Sequence, residues 1–370
     1  MRAFWFFTRS MAMNSGKVAI IGGGLSGLYT AYRLSRMNVD WVVIEARDRL
    51  GGRILSTPGP GPRHDLGPAW MWPDFQPRMA ALVEELGLTA FDQYDEGAML
   101  IERSLQESPK RVRGFVSGNT SVRIDGGVEQ LIQALAQRLS PERIFLNSRI
   151  STVQSTPSGI ALQTFDTHQA LAELRFSQVI SAIPLRLLAQ DIVFEPMVDA
   201  QTRQGWMKTP TWMAPHAKYV ALYDQAFWRD EGLSGMAQSH VGPLVEIHDA
   251  SHPQGNGALF GFVGVSASAR KQLDEASLLD ACRQQLVRLF GAKAATPVAH
   301  YLKDWAADGL TATDADLQNV AGHTRPQPAR PLQGDWSGQL IISGTEAAVE
   351  HQGYMEGALE AADWAMRYVR

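Results

Sequence analysis

The spacing with most chemistry in it is Gly22-x-Gly24-x-x-Gly27, followed by the acidic Glu45. Gly22 makes a tight turn, Gly24 lets the backbone approach a pyrophosphate, and Gly27 lets a helix pack close to a strand. The helix that begins there turns free N–H groups and a partial positive charge towards the phosphates. A carboxylate about 20 residues further on accepts hydrogen bonds from an adenosine ribose. A bound dinucleotide is therefore expected. Lys218 is the second feature, because strand alternation places it on one face with Val220 and Leu222. Such a lysine either packs its stem while its head reaches solvent or answers to a buried partner, and periodicity leaves both open. Glu246, His248 and His252 cluster in a Pro- and Gly-flanked region but match no metal-ligand motif, so no metal is expected.

The elements that must hold these residues show in the hydrophobic pattern. An apolar run of strand length ends at Gly22, Leu28, Ala31 and Leu34 share one helix face, and residues 41–44 form a second strand that closes on Glu45. This strand–helix–strand frame is the context the glycine spacing requires. Further helical patterns fall at 79–86, 128–139, 278–289 and 354–369, and strand-like runs at 143–146, 178–182, 218–222, 258–263 and 340–343. Residues 325–331 hold three prolines and are expected to cross between domains. The alternation of helices and strands indicates an α/β or α+β protein.

With 370 residues and 45% hydrophobic content, the chain is long enough for two domains. A formal net charge of −4 argues against a nucleic-acid partner, and no apolar run approaches the ~18 residues of a membrane span. The single cysteine, Cys282, excludes an internal disulfide, fits a cytoplasmic location and sits in a helical apolar pattern that suggests core packing. Residues 1–16 contain an apolar stretch shorter than a signal peptide's core and are expected to be a disordered tail.

The residues after the first glycine block separate flavin from nicotinamide binding. The segment Glu45-Ala-Arg-Asp-Arg-Leu-Gly-Gly-Arg53 resembles the ExxxRxGGR signature of the flavin-dependent amine oxidase family. Four more blocks resemble that family in its order: residues 64–70 (HDLGPAW), 124–127 (IDGG), 179–184 (VISAIP), and Gly344-Thr-Glu346 with 353–358 (GYMEGA). The likeness runs from about residue 17 to the end. It implies an α/β fold with a discontinuous Rossmann-like FAD-binding domain over 17–89, 120–196 and 330–370. A smaller α+β substrate domain on a mixed sheet would take 90–119 and 197–329.

The resemblance implies FAD as cofactor and gives residues for it. Gly22, Gly24, Leu25, Ser26, Gly27, Glu45, Ala46 and Arg47 would take the diphosphate and adenosine. Gly52, Arg53, Gly67, Pro68, Ala69 and Trp70 would run along the diphosphate and flavin. Ile150 would present backbone to the adenine, and Gly344 and Glu346 would hold the ribityl or phosphate region. Gly353, Tyr354 and Met355 would aim a helix start at the pyrimidine end, where a positive dipole end stabilises charge formed on reduction.

The family's reaction transfers a hydride equivalent from the carbon bearing an amine to flavin N5, and oxygen then yields hydrogen peroxide. The implied catalytic residues are Lys218, reaching N5 through a water, Tyr354 as one wall of an aromatic amine cage, and Trp305 beside the second wall. Tyr354 and Trp305 also read as plain core aromatics. No cysteine and no aromatic stands in residues 308–314, so thioether attachment of FAD is excluded there and the second wall must come from elsewhere, Trp70 or Trp72 being candidates. Between Tyr94 and Ile124 there is room only for a short hairpin or loop, which implies a shallower, wetter site or one completed by another subunit. The expected partners are a small amine and oxygen, with homo-oligomerisation left open. A desaturase or dehydrogenase using another acceptor, and a non-catalytic flavoprotein, are the competing readings.

Overall fold

Short apolar runs far apart in the chain assemble into a parallel five-stranded sheet, in the order Leu340–Ile342, Gln178–Ser181, Val18–Ile21, Trp41–Ile44 and Ile144–Phe145. The computed structural model describes residues 17–59, 63–114, 120–165, 174–317, 325–331 and 333–370. The tail expected over residues 1–16 lies outside them. The first four strands of the sheet are buried at every position, which is why they read as continuous rather than alternating apolar runs. Alternate residues serve two layers. Val18, Ile20, Val43, Ile180 and Ile341 meet the helices Leu25–Arg36, Glu129–Gln137 and Met355–Met366. Ala19, Ile21, Val42, Ile44, Val179 and Ile342 face the helix Leu185–Asp191 and a three-stranded sheet of Val193–Glu195, Ile150–Thr156 and Gly159–Thr164.

A second sheet has seven strands, in the order Ala299–Asp304, Ala217–Tyr223, Gly257–Val263, Leu244–Asp249, Leu233–Ser239, Ala98–Glu102 and Lys110–Arg113. It is mixed, since Ala98–Glu102 and Leu233–Ser239 run parallel while its other neighbours are antiparallel. Tyr219, Ala221 and Tyr223 pack under the helix Glu275–Phe290, against Leu278, Cys282 and Leu286. Cys282 is thus a core residue, and burial pushes its thiol up to about 12. The alternate residue Val220, with Phe260, meets Leu66 and the partly buried Trp70 from the first part of the fold. Lys218 shares that second parity, so its side chain leaves the sheet on the face towards Leu66 and Trp70.

Each helical pattern and each strand-like run named from periodicity has a counterpart here, within two or three residues at most ends. Between Tyr94 and Ile124 the described residues include a hairpin, Ala98–Glu102 with Lys110–Arg113, which extends the edge of the seven-stranded sheet. Other elements were not foreseen, among them the strands Ile150–Thr156, Gly159–Thr164, Leu233–Ser239 and Leu244–Asp249 and the helices Leu185–Asp191 and Ala200–Lys208. Leu233–Ser239 is rich in Ser, Gly and Ala, which have little strand preference of their own, so pairing on both sides forms it. Residues 325–331 are irregular and lie beside the first sheet, with the Ile342 N–H donating to the Ala329 carbonyl at 2.6 Å. Among the described residues no helix is long and apolar enough to cross a membrane.

Candidate active site

A cavity of about 650 Å³ runs from the carboxyl ends of the parallel strands to the underside of the seven-stranded sheet. Its first end is the glycine turn. Gly22 holds φ at +106°, where side chains are strained, and a Cβ on Gly27 would lie 1.9 Å from the Gly22 carbonyl oxygen. Gly27 thus sets how closely helix meets strand, and it does not itself line the cavity. Gly24, Leu25 and Ser26 do line it. They open a helix with no side-chain cap and no acid in its first turn, so its first N–H groups are available to an anionic ligand. The second glycine pair clasps this turn. Gly51 N–H donates to the Gly23 carbonyl at 2.8 Å, and a Cβ on Gly52 would come within 3.3 Å of the Gly24 Cα.

Glu45 braces the same turn as well as lining the cavity with Ala46 and Arg47. One carboxylate oxygen accepts from the Gly23 N–H at 2.7 Å and the other from the Arg47 N–H at 2.8 Å. Arg47 is in turn held by Asp308 at 2.8 Å and Thr311 at 3.1 Å. The Ser26 hydroxyl donates to the Ser343 carbonyl and lies 2.8 Å from the Ser343 hydroxyl, which leaves its backbone as the group facing a ligand. Ile150 reaches this end from the start of the strand Ile150–Thr156.

The middle of the cavity passes Arg53, Gly67, Pro68, Ala69 and Gly344. Glu346 is 2% exposed, and neither of its carboxylate oxygens has a hydrogen-bond partner among the described residues. Burial raises its pKa and Arg53, 3.8 Å away, works against that rise. A buried acid without donors is costly, and the hydroxyls of a ribityl chain would satisfy it. This orphaned carboxylate, together with the uncapped glycine turn, is how the cavity fits FAD. Gly353, Tyr354 and Met355 line the far end, where the helix Met355–Met366 also starts without a side-chain cap. Its first-turn acid, Glu356, is turned away onto Arg78 at 3.1 Å and the Met79 N–H at 2.8 Å.

Lys218 is 3% exposed. Its Nζ donates to the Gly67 carbonyl at 3.0 Å and stands 4.1 Å from the Phe260 ring centroid. Burial pulls the ammonium down to about 7, the buried Asp65 opposes this, and Arg123 adds to it. Arg123 itself lies 3.7 Å from Asp65. Trp305 donates its indole N–H to the Leu66 carbonyl at 3.1 Å. Lys218 and Trp305 therefore grip two successive carbonyls of the segment that runs along the cavity wall. His64, in the same segment, is buried, and desolvation followed by Arg123 lowers it to about 4.

The aromatic side of the cavity differs from a two-tyrosine arrangement. Tyr354 is 39% exposed and meets Trp72 edge-on at 6.4 Å and Trp212 at 6.5 Å with a 37° tilt. Trp70 lies 6.5 Å from Trp72, and its indole N–H donates to Gln93 at 2.7 Å. Trp212 was missed from sequence. It sits outside any periodic pattern, and its ring fits only because Gly353 has no side chain, since a Cβ there would lie 2.6 Å from the Trp212 Cγ. Glu246 was set aside as a metal candidate, yet it lines this cavity too, bonded to His248 at 2.6 Å. His252 is separate from it and pairs with Asp125 at 3.2 Å.

Residues 90–367 match a family model described as flavin containing amine oxidoreductase, and residues 20–86 match one for an NAD(P)-binding Rossmann-like domain. The chain is 25% identical to the probable flavin-containing monoamine oxidase A of Dictyostelium discoideum, across 93% of this chain and 95% of that protein. It is 24% identical to the flavin-containing amine oxidase A of Canis lupus familiaris, across 95% and 84%. Two solved structures share the fold. Cyclohexylamine oxidase from Brevibacterium oxydans gives a TM-score of 0.79 at 20% identity, covering 96% of this chain and 98% of that one. Putrescine oxidase bound to putrescine gives 0.78 at 21%, covering 95% and 98%.

Proposed function

We propose that this chain, which belongs to the flavin-containing amine oxidoreductase family, oxidises a small or medium amine at the cavity between Lys218 and Tyr354. It is an FAD-dependent oxidoreductase. FAD, when bound, supplies the acceptor for the hydride equivalent taken from the carbon that bears the nitrogen. The products on this reading are an imine, which water hydrolyses to aldehyde or ketone, and hydrogen peroxide from oxygen. Gly22, Gly24, Glu45 and Arg47 would hold the adenosine and diphosphate end, Arg53 and Glu346 the ribityl chain, and the Tyr354–Met355 helix start the ring. The proposed domain division is drawn on the two larger sheets, while the strand pair Ala90–Asp92 with Val122–Ile124 crosses it. Every strand of the five-stranded sheet falls in 17–89, 120–196 and 330–370, and every strand of the seven-stranded sheet in 90–119 and 197–329.

The protein's own work is positioning and proton handling. The Tyr354 and Trp72 faces, with Trp212 behind, can receive a neutral or cationic amine and shed water from it. Lys218 is the observation that carries the reading. A lysine buried on an apolar strand face, tied to a backbone carbonyl and poised near neutral pH, can hold a water or take up a proton at Nζ where a surface lysine would stay charged. Trp305 positions the Leu66–Gly67 segment and also lines the cavity. The half-exposed Tyr354 supports a shallow site open to solvent. The cytoplasm is the compartment that suits a chain with one cysteine. The test is an anaerobic titration of the purified flavoprotein with a panel of amines. Bleaching of the oxidised flavin band by one of them is expected. A stable flavin spectrum that no amine bleaches would overturn the reading.

A further inference from the structure

Residues 123–127, which hold the second glycine block, take no part in the reaction just described, yet they shape the charge around Lys218. The strand Val122–Ile124 buries the Arg123 side chain. Its guanidinium lies 5.9 Å from the Phe260 ring centroid, the same ring that Lys218 Nζ approaches at 4.1 Å. Two cations thus share one aromatic ring, away from the solvent that would screen them. The Arg123 contacts with the Asp65 carboxylate, the Gln93 Oε1 and the Asp249 carbonyl run from 3.4 to 3.7 Å.

Asp65 is the counter-charge. It is buried, its Oδ2 lies 3.7 Å from Arg123, and it stands two residues before the Gly67 carbonyl that receives Nζ. Its Oδ1 accepts from the Val128 N–H at 2.8 Å and from the Ser56 hydroxyl at 3.4 Å. Gly127 makes room for this. Its φ is +83°, and a Cβ there would lie 3.0 Å from that Oδ1 and 2.9 Å from the Ser56 Oγ. One turn therefore supplies both the arginine and the space for the carboxylate.

The other charged groups around Lys218 are occupied or neutral. Lys303, its register partner on one neighbouring strand, is bonded to Asp308 at 3.1 Å. On the other side its partner is Phe262, and beyond Phe262 lies Glu246, bonded to His248 at 2.6 Å with its side chain 48% exposed. His64 is tied to the Ala250 carbonyl at 3.0 Å. His216, two residues before Lys218, is held below its ordinary range by burial and then by Arg270. Both imidazoles are neutral at pH 7.

We propose that Asp65 and Arg123 are a positioning pair that sets whether Lys218 carries its proton, Asp65 favouring the ammonium and Arg123 opposing it. An opposite charge nearby stabilises an ion and a like charge destabilises it, and after burial these are the two charges that act on Lys218, in those directions. The consequence for turnover rests on the amine-oxidase reading, whereas the charge relation can be tested without substrate.

The experiment follows the visible spectrum of the FAD-loaded protein, free of amine, from about pH 5.5 to 9.5. Wild type should show a transition near 7 that Lys218→Met lacks. Asp65→Asn should move that transition down and Arg123→Gln should move it up, each by about one pH unit, the size expected of a unit charge several ångströms away in a protein interior. FAD content and Tm are the folding controls. Opposite displacements are what a merely structural pair would not produce. No transition in the wild type, no displacement in the variants, or displacements of the same sign overturn the assignment. If Asp65→Asn does not fold, the direction in Arg123→Gln decides, upward supporting the pair and anything else overturning it. The pH dependence of flavin reduction by an amine should move with the same signs. Spectral displacements in a protein that no amine reduces would sink the amine-oxidase reading and leave the charge assignment standing.

Discussion

Replacing Lys218 by Met removes a charge from a place that penalises it, and the penalty has a pH signature. The native ammonium titrates at about 7, against about 10.4 in an unfolded chain. The sign follows from proton counts. Below pH 7 both states hold the proton and the native state bears the full cost of burying it. Between 7 and 10.4 the unfolded state binds more protons than the native one, so stability rises with pH. Above 10.4 the cost is gone. At about 1.4 kcal/mol per unit, the cost is about 5 kcal/mol at pH 6 and about 1–2 kcal/mol at pH 9.5. Loss of the bond to the Gly67 carbonyl opposes any gain from the Met side chain by about 1–3 kcal/mol at every pH. The stability of Lys218→Met relative to wild type should therefore fall by about 3 kcal/mol between pH 6 and pH 9.5. For a chain of this size that is a change of roughly 4 °C in the Tm difference. Thermal melts of both FAD-loaded proteins across that range measure it. A Tm difference that does not move with pH would refute the claim that a depressed, buried ammonium exists. The same variant should keep FAD while flavin reduction or reoxidation slows markedly, and unchanged kinetics for both half-reactions would remove Lys218 from the mechanism.

Two further outcomes are expected. Tyr354→Ala should reduce amine turnover by at least tenfold while FAD content stays near that of wild type, since its ring faces Trp72 and Trp212 rather than the core; matched losses of both would make it a structural residue. Acid precipitation should release all the flavin into the supernatant, because the one cysteine is buried in the core under the helix Glu275–Phe290, and a yellow pellet would point to a covalent link.

How much of this was legible in the sequence depends on how far apart the cooperating residues lie. The glycine turn, Glu45 and the first helix act within about thirty residues, and their spacing alone prescribes the geometry they take. The strands of the parallel sheet are read as easily, because burial on both faces leaves apolar runs. Lys218 was visible as an oddity, but its partner, the Gly67 carbonyl, is 151 residues away and no local pattern names it. Trp212 and Glu246 were harder. Trp212 owes its place to a missing Cβ at Gly353, and Glu246 owes its place to strand register through Phe262. Both are properties of how distant segments meet, and neither residue type announces them. Leu233–Ser239 shows the same limit for the fold, being a strand by virtue of its neighbours.

The paired grip of Lys218 and Trp305 on the Gly67 and Leu66 carbonyls also fixes where the molecule can open. Both donors stand on or just after strands of the seven-stranded sheet and both acceptors on the segment along the cavity wall, so the two bonds act as rivets through a single seam. Parting the sheet from that segment would strand a buried amine, an indole N–H and two carbonyls in one movement, at a cost of several kcal/mol. Breathing along that line is accordingly rare. Tyr354 is 39% exposed, so the ring proposed to hold the amine is also one that solvent reaches.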